Sequence, residues 1–124
     1  MSQFGIAAVF LILGGWALLA PGSVIELGFT ETYRANTYPN RFIMACFGAQ
    51  AVLFGLMALF VEWRAIAFLV FAILLLPFFV FNWYFHFEVP VLTSYGTIDF
   101  VGNAVMLALA LFGWRAARAR ERAA

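Results

Sequence analysis

The sequence predicts an all-α polytopic membrane protein, an antiparallel bundle of four transmembrane helices with both termini cytoplasmic. Three observations carry this. Of 124 residues, 66% are hydrophobic and 10% are charged, against roughly 25% charged in ordinary soluble domains. A soluble chain of this size leaves about a third of its unfolded surface wet, and so few charges do not cover it. Four apolar stretches each approach the about 20 residues needed to cross the hydrocarbon core. The arginines divide unequally between the two sides that those stretches define.

Net charge is +1, so no strong field attracts nucleic acid or an acidic partner. All the cationic charge is arginine; there is no lysine. The single cysteine, Cys46, cannot form an intramolecular disulfide, and its apolar surroundings make it a small hydrophobe. The whole chain, residues 1–124, reads as one transmembrane domain.

The first helix covers about residues 4–20 and stops at Pro21-Gly22, a helix-ending pair. Residues 1–5 contain no Lys or Arg, so this is a retained helix and not a signal peptide with its basic leader. An outer loop, residues 21–40, interleaves Val24, Ile25, Leu27, Phe29, Tyr33 and Tyr38 with Glu26, Glu31 and Arg34. That mixture predicts a segment lying on the outer surface as a lid, with Ser23 and Glu26 forming a capping box. The second helix, 41–61, follows Pro39-Asn40. The turn at Glu62, Trp63 and Arg64 is short enough to force a helical hairpin. The third helix, 65–87, contains Pro77, which removes a bond to the Ile73 carbonyl and predicts a kink. A loop at 88–96 leads to the fourth helix, 97–114. Thr97 is a plausible N-cap there, and Asp99 suits the helix dipole. The basic tail, 115–124, continues that helix with Arg115, Arg118 and Arg122 on one face as an anchor for anionic headgroups.

Orientation follows the positive-inside rule. Arg64, Arg115, Arg118, Arg120 and Arg122 fall on one side, Arg34 and Arg41 on the other. Both termini and the short turn are therefore cytoplasmic, as in a bacterial inner-membrane protein. Trp63 and Trp114 sit at the inner boundary and Trp83 toward the outer one, an aromatic belt; Trp16 is nearer the outer end of the first helix. The 16 phenylalanines read as interhelical or lipid-facing filling. Membrane helices associate through small residues; Gly14-Gly15, Ala45 with Ala49, Ala51 with Gly55, and Gly102 with Ala104 and Ala108 mark the expected seams.

Ionisable and polar residues inside a membrane are functional candidates by default. Here they gather at one place. Asn82 and His86 are four apart at the outer end of helix three, and Asp99 and Asn103 are four apart at the outer start of helix four, so each pair shares a face. Glu88 lies between them, with Tyr84 and Tyr95 nearby. Gln50 sits in mid-helix two, and Arg41 begins that helix as a salt-bridge partner for Glu88, Asp99 or Glu31. The structural reading makes Asn82 and Asn103 interhelical glue and Asp99 a dipole partner. The functional reading is an apolar pocket for a lipid, quinone or isoprenoid-like molecule, built from Asn82, Trp83, His86, Asp99, Asn103, Gln50 and Arg41, with Phe79 and Phe85 as further walls.

Two other functions follow from the same residues. His86 with Asp99 or Glu88 would serve acid–base chemistry on an apolar substrate. An oligomeric transporter or channel is the third. A metal site would need His86, Glu88 and Asp99 together, and one histidine without a second cysteine argues against it. No nucleotide-binding or zinc-protease motif occurs, and one histidine excludes bis-histidine haem within the chain. No acid lies at mid-membrane for proton-coupled export, no charged selectivity ring is evident, and no repeat marks a transporter. The reading that fits best is a non-catalytic accessory or ligand-binding subunit. Its partners would be membrane lipids and a larger membrane complex or further copies of itself, and not nucleic acid. The cofactor, if any, would be a bound lipid or quinone.

Overall fold

A computed structural model describes residues 2–94 and 96–124. Among them the elements are α1 (Ser2–Leu19), α2 (Pro21–Gly28), α3 (Tyr38–Phe60), α4 (Ala65–Trp83), a π-helical turn (Tyr84–Glu88) and α5 (Thr97–Ala123), with no strand. Four helices are long and apolar enough to cross a membrane: Ser2–Leu19, Tyr38–Phe60, Ala65–Glu88 and Thr97–Ala123. The chain is an all-helical integral membrane protein on that ground.

The boundaries differ from expectation where a cap or a proline intervenes. Pro21 does end α1, and it also opens α2 at a position where the missing N–H has no partner to lose. The cap of α2 is therefore Ala20, with no side-chain bond, and not Ser23. The Ser23 hydroxyl instead accepts from Trp16 Nε1 at 2.7 Å and donates to the Ala20 carbonyl at 2.8 Å. α3 starts ahead of residue 41 because Thr37 caps it, accepting the Asn40 N–H at 3.4 Å. α4 stays helical through Pro77. Gly96, not Thr97, is the N-cap of α5, and the Thr97 hydroxyl donates back to the Ser94 carbonyl. α5 continues through the arginine-rich tail as a single helix.

α1 packs on α3 and α5, and α4 packs on α5. α3 and α4 are consecutive, yet their backbones do not pack against each other. The α1–α3 seam is made by glycine. A Cβ on Gly14 would meet the Ala51 Cβ at 2.7 Å, and one on Gly55 would meet Leu11 at 2.9 Å and the Ala7 carbonyl at 3.2 Å. The closest approach is at Gly48, against Gly14 and Ala17. On α5 a stripe of Gly102, Asn103, Met106, Ala110, Gly113 and Ala117 is buried, the three-and-four spacing of one helix face. Ala49 and Ala108, expected in seams, are exposed. Between α3 and α4 side chains meet, with Phe54 stacked on Phe71 at 6.0 Å, and Trp63 of the connecting turn meets Phe71 edge-on at 5.5 Å.

Helix ends are satisfied over long range. Gln3 Nε2 donates to the Ala58 and Val61 carbonyls at 3.1 Å each, closing α3. Glu121, near the end of α5, accepts the Ala65 N–H at 3.0 Å and so caps α4; Arg64 Nε lies 3.7 Å from the same carboxylate. The ion pair is exposed and of little worth, whereas a lost cap costs about 0.5–2 kcal/mol. Glu121→Ala is expected to lower unfolding stability in detergent by about 1 kcal/mol. Glu121→Gln, which keeps an acceptor oxygen, should recover most of it.

At the other end the two longer loops are stitched together. Thr30 N–H donates to the Val91 carbonyl at 2.7 Å, Thr93 N–H to Gly28 at 2.8 Å, and the Thr30 hydroxyl to Pro90 at 2.7 Å. The Thr93 hydroxyl donates to Leu27. Ile25 of α2 is fully buried beneath this roof.

Candidate functional site

The polar cluster is centred on Asp99, in the first turn of α5. Its Oδ2 accepts from Asn82 Nδ2 at 3.0 Å and from Asn103 Nδ2 at 3.2 Å. Asn82 Nδ2 also donates to the Phe78 carbonyl at 2.8 Å. Because both acceptors face Nδ2, the amide orientation is determined and Asn82 Oδ1 points elsewhere. Asn82 and Asn103 are 7% and 4% exposed, so these bonds form in a largely dry place, where an amide without a partner is costly.

Two buried polar atoms in this region have no hydrogen-bond partner among the described residues, Asn82 Oδ1 and His86 Nδ1. Native structures leave few such groups, and each calls for a reason. Both residues line a cavity of about 320 Å³ at the ends of α4 and α5, walled by Trp83, Phe87 and Phe100 with Thr97 at its edge. His86 enters it from the π turn. Such turns widen a helix locally and recur at functional sites.

A second, larger space opens where α3 and α4 fail to pack; α1 and α5 contribute to its walls, and α2 lines its outer part. Two cavities of about 360 and 370 Å³ share Leu13, Phe47, Phe78 and Asp99. Gln50 lines the deeper one together with Asn103. A third space of about 370 Å³ continues past Phe54, Phe71 and Leu74 toward the 62–64 turn.

The predicted residues thus fall into separate groups. Asn82, Asp99 and Asn103 are hydrogen-bonded together. Asn82, Trp83 and His86 share the smaller cavity, while Asp99, Asn103 and Gln50 share the cleft. His86 and Asp99 are not bonded to each other and line different cavities. Glu88 is exposed. Arg41 pairs with none of Glu88, Asp99 or Glu31; its Nη1 donates to Asn36 Oδ1 at 3.2 Å and its guanidinium lies 5.8 Å from the Tyr38 ring. The neighbouring Asn36 is closer in the loop and holds it there. Phe79 meets Phe100 edge-on at 5.5 Å, and Phe85 meets Tyr84 at 5.1 Å. Tyr84 is exposed, and Tyr95 lies outside the described residues. Among the described residues no three His, Cys, Asp or Glu side chains are grouped to hold a metal ion.

Sequence reasoning missed the cleft, because consecutive helices joined by so short a turn are expected to pack. It also missed Phe47 and Leu13 as walls, since apolar residues in an apolar chain carry no signal of their own. No family model, curated protein or solved structure matches the chain.

Proposed function

We propose that this protein is a non-catalytic accessory or ligand-binding membrane subunit that holds an apolar, lipid-, quinone- or isoprenoid-like molecule near the outer ends of the last two spans. The observation that carries the reading is the pair of unpartnered buried atoms, Asn82 Oδ1 and His86 Nδ1, on residues lining one aromatic-walled cavity. A hydroxyl on an otherwise apolar molecule would donate to Asn82 Oδ1, and a hydroxyl or carbonyl oxygen would accept from a protonated His86 Nδ1. Concave apolar sites with few polar groups take such ligands.

The accompanying topology is an antiparallel four-helix bundle in the plasma membrane with both termini cytoplasmic. Its support is the arginine distribution and the meeting of helix ends, with Gln3 at the end of α3 and Glu121 at the start of α4. The stitched loops are then the outer roof. The acid–base reading of His86 with Asp99 has less support, because the two line different cavities.

Gentle extraction followed by native mass spectrometry tests the proposal. The wild-type chain should carry a lipid-sized adduct, and any protein subunit it accompanies should appear in the same spectrum. His86→Ala should reduce adduct occupancy with the thermal midpoint unchanged, by about fivefold if one hydrogen bond is lost. A bare wild-type protein, or a total adduct occupancy that His86→Ala does not lower, overturns the assignment.

A further inference from the structure

The α3–α4 cleft carries a second assignment, which concerns a different cavity and stands apart from the pocket of Asn82 and His86. Asp99 is the one charged residue among the described residues lining its two upper cavities. Its Oδ2 takes both amide donors, and Oδ1 accepts no hydrogen bond among the described residues. No cation among the described residues pairs with it. Arg34 pairs with Glu26 at 3.6 Å, and Arg41 is held by Asn36. Asp99 is exposed, so this carboxylate stands open at the outer end of an otherwise apolar cleft and is reachable by a donor from whatever lipid fills it. A polar group there is a binding candidate by default.

We infer that the cleft seats one phospholipid with a primary ammonium head, of the phosphatidylethanolamine type, with its ammonium on Asp99 and an acyl chain descending between α3 and α4. The shape fits that molecule. The charge sits at the roofed end in the first turn of α5, and the remaining walls are almost wholly apolar down to Phe71 and Leu74. An anionic head meets repulsion there. A trimethylammonium head brings charge without N–H donors, and charge-assisted hydrogen bonds are the strong ones. A second copy of the chain is a poor occupant, because it has no lysine and its arginines at this end are already held.

The test uses nanodiscs containing equal amounts of phosphatidylethanolamine, phosphatidylcholine and phosphatidylglycerol with identical acyl chains. Lipid retained after detergent extraction is read by native mass spectrometry. The wild type should retain phosphatidylethanolamine over phosphatidylcholine by about tenfold, the worth of one charge-assisted hydrogen bond. Asp99→Asn should return the ratio to that of the mixture. Leu74→Trp, which narrows the cleft from an exposed position without touching the charge, should abolish the enrichment by excluding the chain. His86→Ala should leave the preference intact, which separates this site from the other. Equal retention of phosphatidylcholine or phosphatidylglycerol by the wild type, or a preference that survives in Asp99→Asn or Leu74→Trp, overturns the inference.

Discussion

Gly48→Leu is expected to separate α1 from α3 and to give the largest loss of stability of any single substitution in the chain. A Cβ at this position would lie 2.6 Å from the Gly14 carbonyl oxygen and 2.8 Å from the Ala17 carbonyl carbon, and closer still to the Leu18 nitrogen. These are backbone atoms of the facing helix, so no rotamer change relieves them; the helices themselves must move. Overpacking typically costs about 1–3 kcal/mol where side chains can yield, and here the cost should reach or pass the top of that range. Membrane helices gain nothing from hiding apolar surface from lipid and rely on close contact, so a forced separation also forfeits the contacts along Gly14, Ala51 and Gly55. Two other glycines calibrate the claim. At Gly113 a Cβ would meet the Phe68 ring at 2.5 Å, but a ring can turn, so Gly113→Ala should cost less. At Gly15 nothing lies within 4 Å, so Gly15→Ala should be neutral or gain up to about 1 kcal/mol of helix propensity. Unfolding midpoints in one detergent should fall in the order Gly15→Ala, Gly113→Ala, Gly48→Leu. A Gly48→Leu protein as stable as wild type would mean that α1 and α3 do not meet here.

This seam also shows what a sequence of this composition reveals. Spans are legible because the solvent dictates them: apolar runs bounded by Pro21, by Pro39-Asn40 and by the Glu62-to-Arg64 turn have few alternatives in hydrocarbon. The polar cluster is legible for the same reason. Asn82, Asp99 and Asn103 stand out in apolar helices, and helical spacing brings Asp99 and Asn103 to one face, where they bond. Helix pairing is far less legible. Gly14, Ala51, Gly55 and Gly102 do mark contacts, yet Ala49 and Ala108 look alike in sequence and face outward. Period alone cannot separate them when both faces of a helix are apolar. The long-range caps were hidden too. Nothing local ties Glu121 to Ala65 or Gln3 to Val61, because those bonds exist only once the helices are side by side. The cleft is hidden most of all, since it is made by an absence of close backbone packing between α3 and α4.

Removing the Asp99 carboxylate should cost more alone than together with its neighbour. Asp99→Leu deletes the acceptor of Asn103 Nδ2 and one of two acceptors of Asn82 Nδ2, which retains the Phe78 carbonyl. Asn103 is 4% exposed, so its amide has no water to turn to. An orphaned buried donor costs about 1–3 kcal/mol, whereas replacing both partners by apolar groups of similar shape is nearly neutral. Asp99→Leu should therefore destabilise by about 2 kcal/mol, and adding Asn103→Leu to it should restore part of that loss. The sign of the second step is the diagnostic. If Asn103 served only as a surface amide, the two losses would add. If the amide is trapped beside the carboxylate, the double variant is the more stable one. Stability is tied to occupancy through the same carboxylate. Asp99 is held by two amides from α4 and α5 and still faces the cleft. The group that joins these helices is thus the group a headgroup would meet, so a lipid donor seated there would tighten the α4–α5 pair. Wild-type protein returned to phosphatidylethanolamine should then unfold at higher temperature than in phosphatidylcholine, and the difference should vanish in the Asp99→Leu/Asn103→Leu double variant, whose helices no longer depend on the carboxylate.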